Sequence, residues 1–314
     1  MYPKITDIEF FLPKKTSLKK KFKTERHFNK IFEKTGIEYV SIANKNETAL
    51  NLAIKSSKKV LKKNKKKIDC IIYVTQSPEY NLPSGSCILQ DRLGLPKNIR
   101  AFDVNQGCSG FVYGLSLASS LIESNQSKNI LLVCSDTYRK YIKNNENSCF
   151  PIFSDGASST IISKSSKIKT FIDFEFGTDG SGYSDLIVKN SGSYYNSDNP
   201  EIFMDGKKVL MFTMSNIPNL VNKILKRNNL NKSQIKYFIF HQASKIVIEN
   251  LKKKLNIKNE KVYQDLRNLG NTVSSTIPIN IQKLVKNGKI KSGDKILIAG
   301  FGVGYSMGAA IINY

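Results

Sequence analysis

Short, nearly continuous apolar runs rich in Ile, Val, Phe and Tyr alternate along the chain with longer stretches whose apolar positions recur every three or four residues. The first pattern predicts strands buried on both faces, and the second predicts amphipathic helices. Strands are expected at 69–75, 100–104, 129–135 and 157–163, with helices at 46–63, 84–93 and 109–124. Past residue 170 the rhythm repeats: helix 208–227, strand 235–240, helix 244–255, a short strand near 261–264, helix 275–287, and strands 295–299 and 308–313. Buried strands interleaved with helices argue for α/β layering. The recurrence predicts two similar α/β halves, 1–170 and 171–314, and the lack of a low-complexity linker predicts that they share one packed interface. Gly- and Ser-rich stretches at 177–184 and 190–198 read as surface loops.

Charge changes the picture of the surface. The 314 residues carry 49 Lys and Arg against 25 Asp and Glu, a formal net charge of +24. Only Arg26, Arg92, Arg100, Arg139, Arg227 and Arg267 are arginines; the rest of the positive charge is lysine, in clusters such as Lys62-Lys63 and Lys252-Lys253-Lys254. Base and phosphate reading favours the arginine fork, so specific nucleic-acid recognition is a poor fit. The lysines either solvate the surface or draw in an acidic partner by long-range attraction. No apolar run reaches the roughly 18 residues of a membrane span, and Met1-Tyr2-Pro3-Lys4-Ile5 opens without the apolar stretch of a secretory signal. A soluble, cytoplasmic protein with no membrane contact is expected. Five cysteines without a Cys-x-x-Cys spacing, beside two histidines, support neither a disulfide framework nor a zinc site.

Three places carry candidate chemistry. In Phe102-Asp103-Val104-Asn105-Gln106-Gly107-Cys108-Ser109-Gly110-Phe111 a strand runs through a Gly turn into a helix, with Gly110, Gly114 and Ala118 along one side. This puts Cys108 at a helix N-terminus, where free N–H groups and the dipole favour a thiolate and lower the thiol pKa by about one unit. Cys108 is then a nucleophile or, as Cys70 and Cys134 inside apolar strands read, a packed core cysteine. His241 ends the strand at 235–240, where open α/β sheets present residues to a crevice, or it is a loop histidine satisfied by neighbours. Asn271 follows Gly270 in a loop entering a helix and is either functional or a turn residue. Gly300-Phe301-Gly302-Val303-Gly304 lacks the spacing of a dinucleotide fingerprint.

Together these residues resemble the ketoacyl-acyl-carrier-protein synthase III branch of the thiolase superfamily. The resemblance runs through Lys34-Thr35-Gly36-Ile37, Asn81-Leu82-Pro83-Ser84, Cys108-Ser109-Gly110-Phe111, Phe153-Ser154-Asp155-Gly156-Ala157, His241-Gln242-Ala243, Gly270-Asn271-Thr272, Lys291-Ser292-Gly293-Asp294 and Gly300-Phe301-Gly302. It implies a thiolase-like fold, two α/β halves in five αβαβα layers. It also implies a decarboxylating condensation of an acyl group on Cys108 with malonyl-acyl carrier protein, giving a 3-ketoacyl thioester, with His241 and Asn271 completing the catalytic set. By the same resemblance the backbone N–H groups of Cys108 and Val303 form the oxyanion hole, Phe301 packs against His241, Lys34 takes a phosphate-binding place and Leu82 reaches a partner's acyl pocket in a homodimer. Lys207, Lys208, Lys253 and Lys254 stand near the family's carrier-docking positions, which here are Met211 and Ile246. Phosphopantetheine or CoA thioesters serve as substrates, and neither cofactor nor metal is implied.

The chain departs from the family where CoA is gripped: Lys30 and Asn147 occupy the adenine-sandwiching positions, and there is no Trp anywhere. Ser244 replaces the asparagine that usually follows His-Gln-Ala. These departures leave room for a second reading, an acyltransferase passing the Cys108 acyl group to a hydroxyl or amine. A Cys-His-Asn protease lacks its local signature, and a charge-driven nucleic-acid binder leaves the three residues unexplained.

Overall fold

The computed structural model describes residues 2–143, 147–166, 170–194 and 200–314. In chain order the elements are β1 (Tyr2–Phe11), β2 (Lys14–Ser17), α1 (Glu25–Thr35), β3 (Tyr39–Ile42), α2 (Ala49–Lys63), β4 (Cys70–Val74), α3 (Gly85–Arg92), β5 (Arg100–Val104), α4 (Gly110–Glu123), β6 (Asn129–Asp136) and β7 (Gly156–Ser165). They continue with β8 (Phe171–Thr178), β9 (Leu186–Lys189), β10 (Glu201–Met204), α5 (Gly206–Arg227), β11 (Tyr237–Phe240), α6 (Lys245–Lys254), α7 (Leu266–Leu269), α8 (Thr276–Lys286), β12 (Lys295–Gly302) and β13 (Ser306–Asn313).

The alternation of side chains along each strand explains the layers. In β4, Cys70, Ile72 and Val74 join a core cluster with Phe111, Val112 and Leu115 of α4, while Ile71 and Tyr73 join another with Leu50, Ala53 and Val60 of α2. Both faces are therefore buried, which is why the strand reads as a continuous apolar run. The first sheet has the order β1-β7-β6-β4-β5, and the second the order β11-β12-β13-β8. In the second sheet Ile239, Ile296 and Ile298 face the central cluster, and Phe238, Phe240 and Leu297 face a cluster containing Ile217, Val221 and Ile248 of α5 and α6. The helices α4 and α8 lie between the sheets, α2 and α3 cover one outer face, and α5 and α6 cover the other. This is the five-layer arrangement expected.

The strands of the first sheet end with β7, and those of the second begin with β8. The halves nonetheless interlock, because Leu18, Phe28, Ile37 and Val40 pack in the same cluster as Phe238 and Phe240. Several elements were not foreseen: β1, an edge strand pairing antiparallel with β7, the short pair β2–β3, α1, and β8 to β10. The expected strand at 261–264 is instead a single-turn helix at Asn259–Lys261 and one bridge between Phe238 and Val262. Of the two expected surface loops, 177–184 is the end of β8 and a short helix, Gly180–Asp185; residues 195–198 of the other lie outside the described residues. Cys70 and Cys134 are buried in strands, as expected. Among the described residues no helix is long and apolar enough to cross a membrane.

The N-terminus of α4 meets the end of β12 at very close range. A Cβ on Gly300 would stand 2.6 Å from the Cys108 carbonyl oxygen and 2.8 Å from the Ser109 Cα. Both obstacles are backbone, so a side chain there has nowhere to go. Gly300→Ala should lower unfolding stability by about 1–3 kcal/mol through overpacking; urea denaturation measures it, and an unchanged midpoint would mean that the seam between the halves has slack.

Candidate active site

Cys108 stands two residues ahead of α4, His241 directly after β11, and Asn271 after α7. Each is buried, with 4%, 1% and 4% of its surface exposed. Backbone hydrogen bonds fix His241 and Asn271. His241 N–H donates to the Ala299 carbonyl at 2.8 Å, continuing the β11–β12 pairing by one residue. Asn271 N–H donates to the Ile152 carbonyl at 3.0 Å, and its own carbonyl accepts from Ser154 N–H at 2.8 Å. All three line one cavity of about 370 Å³, together with Lys34, Phe301 and Gly302. Its walls are mainly apolar, with Leu186, Met204, Val209 and Leu210 among them.

Side-chain orientation is set by a second ring of contacts. Val273 N–H donates to Asn271 Oδ1 at 2.9 Å. With the oxygen held, the amide NH2 is the group Asn271 has left for the cavity. Val273 does this with φ 54, a left-handed conformation that is a genuine outlier for a β-branched residue. His241 Nδ1 lies 2.9 Å from Thr276 Oγ1. The Phe301 ring meets the imidazole edge-on, with centroids 5.8 Å apart and planes at 89°, the packing the resemblance implies. Asp136, at the end of β6, ties the surrounding loops together: Gln76 N–H donates to Oδ1 at 2.8 Å and the Ser274 hydroxyl to Oδ2 at 2.9 Å.

Burial dominates the electrostatics. It lowers the His241 pKa to about 3, so the imidazole is neutral. It raises the Asp136 carboxyl to about 7, against the hydrogen bonds from Gln76 and Ser274. It also pushes the Cys108 thiol up, reinforced by the Asp136 carboxylate. This corrects the sequence-based expectation of a lowered thiol pKa: a helix N-terminus contributes at most about 2 kcal/mol, and desolvating a thiolate outweighs it.

The remaining predicted site residues are placed unequally. Lys34, in the last turn of α1, is exposed and lines the cavity. Val303 instead lines an adjoining cavity of about 380 Å³ that shares Leu186 with the first. Leu82 is 86% exposed and does not reach the cavity of its own chain. Lys207 and Lys208 open α5, whose Gly206, Val209 and Leu210 line the cavity, but Lys208 is paired with Asp185 at 3.0 Å. Lys253 and Lys254 end α6, about 10 Å along the helix from the cavity-lining Ile246 and Val247. Lys254 Nζ donates to the Met214 carbonyl at 2.9 Å. Asn147 donates its amide to the Glu201 carboxylate and the Ile202 carbonyl, at 3.1 and 3.0 Å. Gly302 was read only within a motif and given no role of its own, and Thr276 was missed. A Cβ on Gly302 would lie 3.1 Å from the Cys108 Cβ and 3.2 Å from its sulfur, a tight approach that glycine relieves.

Comparison with known proteins agrees with this geometry. A family model described as 3-oxoacyl-[acyl-carrier-protein (ACP)] synthase III matches residues 102–180, and the corresponding C-terminal model matches residues 225–314. Beta-ketoacyl-[acyl-carrier-protein] synthase III 2 of Staphylococcus epidermidis is 33% identical over 322 residues, covering 100% of this chain and 98% of its own. The Clostridium novyi beta-ketoacyl-[acyl-carrier-protein] synthase III is 35% identical over 296 residues, 90% of each chain. A crystal structure of a 3-oxoacyl-(acyl-carrier-protein) synthase III superposes with a TM-score of 0.95 at 33% identity, covering 100% of both chains. The Burkholderia xenovorans 3-oxoacyl-(acyl-carrier protein) synthase gives 0.93 at 29% identity, covering 99% of this chain and 94% of that one. A buried cysteine, histidine and asparagine at one cavity, in a five-layer fold matched from end to end, belong together in one lineage: this chain is a member of the 3-oxoacyl-[acyl-carrier-protein] synthase III family.

Proposed function

We propose that this protein joins an acyl group carried on Cys108 to a malonyl group carried on acyl carrier protein, with loss of carbon dioxide, and that it works as a cytoplasmic homodimer. The observation that carries this reading is the shared cavity of Cys108, a neutral His241 and an Asn271 whose amide oxygen is already held. In the first half-reaction the Cys108 sulfur attacks a thioester carbonyl; the new C–S bond forms, the old one breaks, and the departing thiol leaves with the cysteine proton. Because burial keeps the thiol protonated at rest, the N–H groups at the start of α4 act on negative charge as it develops. Acylation divides one hard step into two easier ones.

In the second half-reaction the C–C bond to the malonyl carboxylate breaks, carbon dioxide leaves, and the electron pair moves onto the thioester as an enolate. The enolate carbon then attacks the acyl-cysteine carbonyl, and the sulfur departs as thiolate and takes a proton from solvent. A neutral imidazole N–H and the Asn271 amide both donate to the enolate oxygen. The Cys108 and Val303 backbone N–H groups serve the acyl-cysteine carbonyl. An acyl donor on carrier protein suits this chain better than CoA: the Asn147 amide is engaged within the protein, and no tryptophan is present. Exposed Lys34 and Lys207 provide positive charge for an acidic carrier, Lys208 is neutralised by its ion pair with Asp185, and Lys253 and Lys254 extend the charge along α6. For the homodimer, β5 is one of the two edges of the first sheet, and Tyr80, Leu82 and Leu117 are exposed apolar side chains.

Replacing His241 or Asn271 with Ala should slow carbon dioxide release from malonyl-carrier protein by about 10²–10³ while sparing the acyl-Cys108 adduct seen by intact mass. Cys108→Ala should abolish the adduct. Discharge of the acyl group to a hydroxyl or amine without carbon dioxide release would defeat the reading in favour of simple acyl transfer.

Leu82→Asp should shift the dimer toward monomer in sedimentation velocity without altering the circular dichroism; an unchanged dimer would exclude Leu82 from the interface.

Titration gives a further check. Unfolded His241 ionises near 6.5, while in the native state it stays neutral down to about 3. Below pH 6.5 the unfolded chain binds a proton that the native state refuses, so this stability is complete above 6.5 and declines as pH falls, by up to about 1.4 kcal/mol per unit. Asp136 acts in the opposite sense: raised from 3.8 to about 7, its native carboxyl keeps a proton through that window, and stability falls as pH rises across it. The slopes oppose each other, so the difference between variants is the useful quantity. His241→Asn should become more stable relative to the native sequence as pH drops from about 7 to about 5, by urea unfolding at each pH. A pH-independent difference would rule out a buried neutral His241.

A further inference from the structure

The turn from Asn271 to Thr276 touches both polar residues of the site. Val273 N–H holds Asn271 Oδ1, and the Thr276 hydroxyl lies 2.9 Å from His241 Nδ1 and 3.1 Å from the Val273 carbonyl. A neutral imidazole has one nitrogen with a proton and one without, and a hydroxyl has one proton to give. The Val273 carbonyl already receives the Thr276 backbone N–H. The shorter of the two hydroxyl contacts is the one to the ring.

We propose that Thr276 is the positioning residue that decides which nitrogen of His241 carries the proton: its hydroxyl donates to Nδ1, so Nε2 keeps the proton and turns an N–H toward the cavity. The proposal rests on the reading of His241 as a donor to an enolate. In the reverse arrangement Nδ1–H donates to the hydroxyl or directly to the Val273 carbonyl, which is also within hydrogen-bond reach of the ring, and the hydroxyl donates to that carbonyl. That would aim the bare lone pair of Nε2 at the place where negative charge gathers, and the ring would oppose the step it serves. Thr276 opens α8 and is buried, so the helix that fixes its backbone also fixes the hydroxyl against the ring.

The chain has only two histidines, and the other, His27, is exposed on α1, so nitrogen-15 imidazole spectra of the full protein contain two spin systems. His241 should show a pyridine-like shift at Nδ1 and a pyrrole-like shift at Nε2. Thr276→Val, nearly isosteric but without the hydroxyl, should lose that pattern and slow carbon dioxide release about tenfold while leaving acylation of Cys108 unchanged. Thr276→Ser should restore both, which a merely structural role for the side chain would not require. A pyrrole-like Nδ1 in the native protein, a Thr276→Val spectrum identical to the native one, or an unchanged rate in that variant would each overturn the proposal. If the native protein releases no carbon dioxide from malonyl-carrier protein, the functional reading fails, while the spectra still decide the role of Thr276.

Discussion

The contact on which the site depends is the approach of the glycine end of β12 to the turn that carries Cys108. Without side chains at Gly300 and Gly302, the strand passes within van der Waals reach of the Cys108 backbone and sulfur. β12 in turn pairs in parallel with β11, and His241 N–H extends that pairing onto Ala299. One seam between the sheets thus sets the distance from sulfur to imidazole. Asn271 is brought in from a third direction, pinned to Ile152 and Ser154, so His241 and Asn271 are fixed by backbone hydrogen bonds and Cys108 by close packing against β12, rather than by each other. The three side chains are left to face the cavity.

Such a seam has an electrostatic consequence. Close packing excludes water from Cys108, His241 and Asp136 alike, and each is displaced toward its neutral form. For the histidine this is an advantage, because a neutral ring donates one hydrogen bond in a direction its neighbour dictates. In the proposed reaction it moves activation of the cysteine from the resting state to the moment of attack, when donors already in place at α4 meet the new charge. Asp136 is held by Gln76, Ser77 and Ser274, so its oxygens face away from any role as a free base and serve to tie two loops to the end of β6.

The layers were legible in the sequence because burial on both faces forces a strand into a continuous apolar run, and β4, β6, β11 and β12 all obey that rule. Edge elements escaped it. β1, with Pro3, Asp7 and Glu9, and β8, with Asp173 and Glu175, bury one face or less and alternate in polarity. α1 has only Phe28 and Thr35 fully buried, so its charged outer face hid the helix. At the site, Cys108, His241 and Asn271 were legible as residue types in motifs, and the cavity unites them. Thr276 was not: its meeting with a ring 35 positions earlier is a product of packing, with no local signature. The thiol pKa was misread for the same reason, since a helix terminus is visible in eight residues of sequence and burial by a distant strand is not.

Packing also sorts the positive charge. Lysines and arginines crowd the last turns of α1, α2, α5, α6 and α8, where the C-terminal end of the helix dipole favours cations. Much of the excess of basic residues thereby serves the helices that carry it, which makes the net charge a weak pointer to any partner. The mouth of the cavity is different. α5 and α6 turn their N-termini toward it, with Gly206 and Ser244 on its wall, while α1 brings Lys34 from its C-terminal turn. The N-terminal ends of α5 and α6 add to the positive charge of Lys34, against the opposing C-terminal end of α1, while Met211 and Ile246 put apolar side chains beside that field. A carrier with acidic flanks would be drawn in by that field and then meet a partly apolar rim. Selectivity at such a surface comes from shape and desolvation as much as from charge, and its dependence on salt should reside in the association rate.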